Sequence, residues 1–65
     1  MTGLSTRHRQ ILALVSEGVP DKGIARELGI GVRTVRSHLD EVCFRLGARN
    51  RSQAVAQGFR KGLLS

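Results

Sequence analysis

Four aliphatic residues in the middle of the chain recur at spacings of four, three and four: Val35, Leu39, Val42 and Leu46. At about 100° per residue, this spacing keeps all four side chains within one narrow stripe of an α-helix. The pattern predicts a helix over residues 32–46 with one face in a core. A chain of 65 residues is also expected to form a single domain, spanning residues 1–65.

Two shorter helices are predicted before this one. Ser5 precedes an apolar pattern and is the expected N-cap of a helix over residues 6–17, which Gly18 would stop. A second helix is expected over residues 20–28, because the proline that opens it suits a first helical turn.

A fourth helix is predicted near the C-terminus, over about residues 51–61. Asn50 is its expected N-cap, and Gln53 occupies the N3 position of a capping box. No segment alternates with a period of two, so nothing indicates a strand. The sequence therefore predicts an all-α fold of four helices.

The charge of the chain is strongly positive. Eleven Lys and Arg residues against five Asp and Glu give a formal net charge of +6. Nine of the eleven basic residues are arginines, whose planar fork of donors suits phosphates and guanine edges. The balance favours a polyanionic partner, and the positions of the arginines must decide which one.

Several other classes of protein are excluded. No apolar run is long enough to cross a bilayer, and no signal peptide is apparent. Cys43 is the one cysteine and cannot form an internal disulfide, so the expected location is cytoplasmic.

The inventory of reactive side chains argues against an enzyme. Beyond carboxylates and hydroxyls, the candidates are His8, His38 and Cys43. His38 and Cys43 lie about 140° apart on the predicted third helix, so they form neither a catalytic dyad nor a metal pair. Two histidines and one cysteine also fall short of a structural zinc site. We expect no catalytic activity, no metal and no cofactor.

A short turn, in which Gly29 and Gly31 flank Ile30, joins the second predicted helix to the third. Two helices joined in this way form a helix-turn-helix, whose second helix enters the DNA major groove with its N-terminal residues first. A polar helical face alone also occurs on any solvated amphipathic helix, so the preceding turn is what favours DNA. The polar face opposite the apolar stripe carries Arg33, Ser37, Asp40 and Phe44, with Arg36 at its border.

Four segments that together cover most of the chain carry a more selective pattern. They are LSTRHRQIL at 4–12, SEGVPDKGIARELGI at 16–30, TVRSH at 34–38 and RLGARNRSQAV at 45–55. This pattern resembles the LuxR-type helix-turn-helix domain, also called the GerE family. The resemblance implies a four-helix DNA-binding domain of a bacterial transcription regulator, either free-standing or the output domain of a response regulator or quorum sensor.

The chain departs from the family pattern at a few positions that affect stability. His8 stands where the family usually has Glu, so the start of the first helix is expected to fray. Gly31 replaces the serine that usually caps the recognition helix, and Gly23 replaces a common Glu. None of these departures lies on the face predicted to enter the groove.

The resemblance assigns base reading to Arg36, Ser37 and Asp40. Arg36 is expected to donate two hydrogen bonds to guanine. Asp40 has two interpretations, because a carboxylate can accept from cytosine N4 or can pair with Arg36 four residues earlier and orient it.

Seven residues are expected to contact DNA phosphates: Arg33, Thr34, His38, Arg45, Arg49, Asn50 and Arg51. Thr34 and Arg45 match positions at which the family contacts the DNA backbone. For His38, the alternative is a partly buried structural histidine.

The fourth helix carries a second stripe in addition to its core face, formed by Ser52, Ala56, Phe59 and Leu63. The family dimerises through this helix, and a two-fold dimer would match a palindromic DNA site. The alternative is that Phe59 and Leu63 fold onto the domain's own surface. Phe44 has no assigned role.

The competing function is a protein-docking module that resembles the C-terminal domain of a sigma factor, with RNA polymerase as a candidate partner. A module that bound only protein would tolerate the loss of Arg33, Arg36 and Arg45 together. DNA binding would instead weaken steeply as salt rises.

Overall fold

The computed structural model describes residues 3–64, and these residues form four α-helices and no strand. The helices are α1 (Thr6–Ser16), α2 (Asp21–Leu28), α3 (Val32–Leu46) and α4 (Arg51–Arg60). The prediction of an all-α, four-helix fold is confirmed, and every predicted helix end lies within one residue of the observed end.

Helix α1 begins at a complete capping box. The Ser5 hydroxyl accepts a hydrogen bond from the His8 backbone N–H at 3.1 Å, and His8 Nδ1 accepts one from the Ser5 N–H at 3.2 Å. An imidazole with a free lone pair on Nδ1 therefore replaces the usual carboxylate. The fraying expected from His8 is not observed, because both end groups are satisfied.

The turn between α2 and α3 depends on two glycines. Gly29 ends α2 in the left-handed conformation with φ 68°, and the Ile30 N–H then reaches back to the Ala25 carbonyl at 3.0 Å. Gly31 is the extended N-cap of α3. At the other end of α2, Pro20 is the N-cap with ψ 161° and not the first helical residue, which corrects the predicted start by one position.

Helix α4 begins with a modified cap. Asn50 Oδ1 accepts from the Gln53 N–H at 2.9 Å, as predicted. Gln53 Oε1, however, accepts from the Arg49 N–H at 2.8 Å, one residue before the N–H that a capping box would use. The predicted capping box is therefore correct in its first bond and wrong in its second.

The core consists of two groups of buried residues that meet along α3. The α2 group is Ile11, Ile24, Ala25, Val35 and Leu39. The α4 group is Leu4, Leu12, Val42, Leu46 and Ala54. The predicted stripe of α3 is buried along its whole length, with Val35 and Leu39 in one group and Val42 and Leu46 in the other.

This division means that different helices support the two halves of α3. The N-terminal half packs on α2 and the C-terminal half packs on α4, while α1 contributes one fully buried residue to each group, Ile11 and Leu12. Each fully buried aliphatic side chain stabilises the fold by about 1.5–3 kcal/mol. Helix α3 is therefore held firmly from behind, and its opposite face is presented to solvent.

A glycine lets α4 lie close to α1. A Cβ placed on Gly58 would lie 3.0 Å from Leu12 Cδ2 and 2.9 Å from Leu64 Cδ1. Both distances are shorter than an ordinary contact between carbon atoms. A residue with a side chain at position 58 would force Leu12 and Leu64 to move from their observed positions.

Candidate nucleic-acid interface

The N-terminal half of α3 carries an exposed basic ridge, which we define as Arg33, Thr34, Arg36 and Ser37. All four side chains are exposed, while Val35 between them is completely buried. The ridge thus presents two guanidinium groups and two hydroxyls on the outside of a helix whose inner side is fixed in the core. This arrangement is able to donate hydrogen bonds to base edges and to phosphate oxygens.

The start of α3 adds to the positive potential of the ridge. Gly31 is the N-cap and provides no side chain to cap the first turn. The first N–H groups of a helix have no partner within the helix, and with the helix dipole they favour a negatively charged ligand. A phosphate at this end would meet both the helix terminus and Arg33.

An acidic residue lies beside the ridge and binds two arginines. Asp21, the first residue of α2, accepts from Arg51 Nη1 at 2.7 Å on Oδ1 and from Arg51 Nη2 at 3.3 Å on Oδ2. The same Oδ2 atom accepts from Arg36 Nε at 3.4 Å. We call these three residues the Asp21 cluster, which connects the starts of α2 and α4 with α3.

Electrostatics favour the charged form of this carboxylate. The hydrogen bonds from Arg51, and then the charges of Arg51 and Arg36, hold the pKa of Asp21 below its ordinary value of 3.8, although partial burial opposes them. The Asp21 side chain is 17% exposed, whereas that of Arg36 is 66% exposed. One negative charge is thus held between two positive ones, and the cluster keeps a net positive charge.

Sequence reasoning missed Asp21 as part of this surface. Its partners lie 15 and 30 residues further along the chain, and no local pattern connects them. The observed acidic partner of Arg36 is Asp21, and not Asp40 as one of the two interpretations of Asp40 proposed. The one indication in the sequence was that Asp21 lies in the first turn of α2. An acidic residue there already interacts favourably with the helix dipole, so it did not point to an arginine partner.

The C-terminal half of α3 has a different arrangement. Arg45 Nε binds Glu41 Oε1 at 2.9 Å, and Arg45 Nη1 donates to the Gly3 carbonyl at 2.6 Å. Arg45 therefore ties the N-terminal segment to α3, 42 residues further along the chain. The predicted contact of Arg45 with a phosphate would have to use the N–H donors that these two hydrogen bonds do not occupy.

The start of α4 brings together three more of the predicted phosphate contacts. Arg49 is exposed, but its backbone N–H is already bound to Gln53. Asn50 uses its side-chain oxygen to cap α4. Arg51 lies in the Asp21 cluster, with its side chain 46% exposed. Arg49 thus has the freest side chain of the three.

His38 faces the protein and is half-buried. Its ring meets the ring of His8 edge to face, with centroids 5.3 Å apart. Burial, and then the nearby charges of His38 and Arg45, lower the pKa of His8 below its ordinary 6.5, while Glu41 acts in the opposite direction. This position favours the structural interpretation of His38 over a phosphate contact.

Asp40 and Phe44 continue the exposed face of α3 beyond the ridge. Both are exposed, and Phe44 is 83% exposed, more than any other large apolar residue in the described part of the chain. Asp40 lies one turn from Arg36 and is exposed. Within residues 3–64, no interaction accounts for Phe44.

The predicted dimer stripe is shorter than expected. Ser52, Ala56 and Phe59 are exposed on α4, and Phe59 is 49% exposed. Leu63 lies beyond the end of α4 and packs against the α4 group of the core. Its N–H binds the Gly58 carbonyl at 2.7 Å, which turns the chain back over the domain.

The described residues form neither a metal site nor a membrane span. Within residues 3–64, no group of three or more His, Cys, Asp or Glu side chains is arranged to hold a metal ion. In the same part of the chain, every helix is too short or too polar to cross a membrane.

Comparisons with known proteins agree on one family. The model described as "Bacterial regulatory proteins, luxR family" matches residues 2–57. The chain is similar to the transcriptional regulatory protein YdfI of Bacillus subtilis, with 36% identity over 98% of this chain and 30% of YdfI. It is also similar to the spore germination protein GerE of B. subtilis, with 39% identity over 94% of this chain and 82% of GerE.

The fold has a close structural counterpart. The solved structure of the transcription factor GerE superposes with a TM-score of 0.92 and 37% identity, covering 95% of this chain and 92% of that one. Several of the curated relatives are much longer, and the chain spans 30% or less of their length. The similarity thus concerns one domain of those proteins.

Proposed function

This chain belongs to the luxR family of bacterial regulatory proteins, and from that premise we propose that it is a sequence-specific DNA-binding domain that regulates transcription. The family is one of regulators and not a class of enzymes. In the proposed complex, α3 enters the major groove with its N-terminal half first. The domain binds double-stranded DNA without a cofactor.

The observation that carries this proposal is the exposed basic ridge on a rigid support. The major groove is about 12 Å wide and admits one α-helix. Arg36 and Ser37 project from the outer face of α3, while the core holds Val35 behind them. Arg36 reads guanine, and Ser37 and Asp40 contact neighbouring bases.

Phosphate contacts position the domain on the duplex and supply much of its affinity. Arg33 and Thr34 at the start of α3, and Arg49 before α4, have exposed side chains for this purpose. Arg51 also binds Asp21, but its side chain is 46% exposed and serves the same purpose from the start of α4 with the donors that remain. Arg45, His38 and Asn50 contribute mainly through the fold, because each is engaged within the domain.

The domain binds DNA as a two-fold dimer through α4. Ser52, Ala56 and Phe59 form the exposed face that meets the second copy. Phe59 is the apolar centre of that face, and a small interface of this kind suits a dimer that assembles on DNA. Two copies related by a two-fold axis read a palindromic site.

Selection of bound sequences from a random duplex pool tests this function directly. We expect an enriched palindrome containing guanine in each half-site, and binding that weakens steeply between about 50 and 200 mM salt. Salt-independent binding without enrichment would contradict DNA recognition. If, in addition, replacing Arg33, Arg36 and Arg45 together left partner binding intact, a protein-docking module such as one for RNA polymerase would be favoured.

The dimer has its own test. Phe59→Glu should abolish cooperative occupancy of paired half-sites, because it places a carboxylate at the centre of the proposed interface. Gln57→Glu adds the same charge to α4 about 160° away around the helix and should leave cooperativity intact. Unchanged footprints and sedimentation of the Phe59→Glu variant on a paired site would rule out this interface.

A further inference from the structure

We propose that Asp21 is a positioning residue for sequence reading: it holds Arg36 in the orientation that reads guanine and lowers affinity for DNA of unrelated sequence. The proposal rests on the proposed function. Asp21 itself touches no base. Asp21 affects DNA binding by way of Arg36 and Arg51, the two arginines that it binds.

The Asp21 carboxylate binds Arg36 on its Nε side and leaves the terminal nitrogens unbound. Asp21 Oδ2 accepts from Arg36 Nε at 3.4 Å, which occupies one edge of the guanidinium. The two terminal nitrogens of Arg36 are left to donate side by side to guanine O6 and N7. A carboxylate on the Nε edge thus fixes the plane of the guanidinium without blocking the edge that reads the base.

The Asp21 carboxylate is itself held in place by a second arginine. Arg51 holds the carboxylate through both oxygens, at 2.7 and 3.3 Å, and the Asp21 side chain is only 17% exposed. The carboxylate is therefore fixed by one arginine before the second arginine binds to it. Without it, a 66% exposed Arg36 would sample many rotamers, and ordering it on DNA would cost affinity.

Asp21 also places a negative charge beside the basic ridge. A carboxylate next to a DNA-binding surface repels phosphates, so it weakens binding to every duplex regardless of sequence. Asp21 therefore opposes general affinity and favours the contact that distinguishes one base pair from another. Specificity is a difference of affinities, so the positioning of Arg36 increases it, whereas a repulsion that is equal for every duplex lowers affinity and leaves specificity unchanged.

The experiment compares two variants with the same change in net charge. Asp21→Asn removes the carboxylate of the cluster. Glu27→Gln removes an exposed carboxylate of the same helix that joins no ion pair within residues 3–64. Affinities are measured for the selected duplex and for an unrelated duplex of equal length, at one salt concentration.

Both variants should bind the unrelated duplex somewhat more tightly. Only Asp21→Asn should reduce the ratio of specific to non-specific affinity, by roughly 3- to 10-fold, the cost of ordering one long side chain. An equal ratio for Asp21→Asn and wild type would overturn the inference. If wild type itself showed no preference for the selected duplex, the proposed function would fail first, so the two failures are distinguishable.

A double-mutant cycle separates positioning from a merely structural role. In an Arg36→Ala background, Asp21→Asn should leave the specificity ratio unchanged, because the group that it positions is gone. An undiminished effect in that background would contradict action through Arg36. If Asp21→Asn does not fold, the NMR signal of Arg36 Nε–Hε in the wild-type protein provides the test. We expect a resolved peak that exchanges slowly with solvent. A signal that coincides with that of Arg33 would overturn the inference.

Discussion

The two ends of α3 carry the same kind of side chain and use it in opposite ways. Arg36, near the start, is 66% exposed and keeps its terminal nitrogens free beside Asp21. Arg45, near the end, binds Glu41 and the Gly3 carbonyl, and so holds the N-terminal segment against the helix. Positive charge on one helix therefore serves recognition at one end and folding at the other.

Neighbouring elements explain this difference. The N-terminal half of α3 packs on α2, which ends at Gly29 and leaves the outer face of the ridge uncovered. The C-terminal half lies next to α4 and the segment before α1, where the Gly3 carbonyl is within reach, and Glu41 of α3 itself provides the carboxylate. An arginine binds the acceptors that surround it, so two arginines on one helix differ in role according to their positions.

The largest expected effect comes from removing the reading arginine. Arg36→Ala should weaken binding to the selected duplex by roughly 5- to 150-fold, the loss of about 1–3 kcal/mol for one bidentate base contact. Binding to an unrelated duplex should change little, and the melting temperature should stay close to that of wild type. Fluorescence anisotropy with both duplexes measures the two affinities.

Lys61→Ala is the matched control, since it removes one exposed positive charge at the end of α4. It should lower both affinities slightly and equally. Equal losses of specific and non-specific binding in Arg36→Ala would show that Arg36 contributes charge and does not read a base.

Arg45→Ala should give the reverse result. Loss of its bonds to Glu41 and Gly3 should lower the free energy of unfolding by about 1 kcal/mol, because both contacts are partly exposed. For a domain of this size that corresponds to roughly 4–8 °C in melting temperature. Specificity measured well below the melting temperature should persist. Loss of specificity without loss of stability would remove the difference between the two ends of α3.

The smallest expected effect is a pH dependence at the folding end. His8 has a folded pKa below its ordinary 6.5, so the unfolded chain binds its proton more tightly. Stability is therefore full above pH 6.5 and declines as pH falls through that value. Asp21 adds nothing to the pH dependence of stability in this range, because its pKa lies below 3.8.

Between pH 7.5 and 5.5 we expect the melting temperature to fall, because a protonated His8 ring can no longer accept the Ser5 N–H on Nδ1. His8→Gln keeps an acceptor at the third position of the capping box and does not titrate. The His8→Gln variant should therefore show a smaller pH dependence of the melting temperature. An identical pH profile in wild type and His8→Gln would show that the proton binds elsewhere.

The sequence predicted the helices well because their signals are local. The 4-3-4 spacing of Val35, Leu39, Val42 and Leu46 gives the bounds of α3 without reference to the rest of the chain. Caps and glycines gave the remaining ends to within one residue. The family was also predictable, since its pattern covers most of the sequence.

The candidate site was less predictable because its contacts are distant in sequence. The local pattern put Arg36 on the outer face but could not reveal that Asp21, 15 residues earlier, binds it. Arg45 was predicted to contact phosphate from its position in the family, whereas one of its two observed partners, Gly3, is 42 residues away. Leu63 fitted a helical stripe, but the helix ends before it reaches that position.

Chemical-shift mapping by NMR, with the selected duplex added to isotope-labelled protein, tests most directly whether the start of α3 is the recognition surface. We expect the largest shifts at the amides of Val32–Ser37 and the first turn of α4, with a new downfield Nε–Hε signal for Arg36. Shifts concentrated instead on the α1–α2 face, around Gln10, Leu14 and Glu27, with the ridge unchanged, would contradict it.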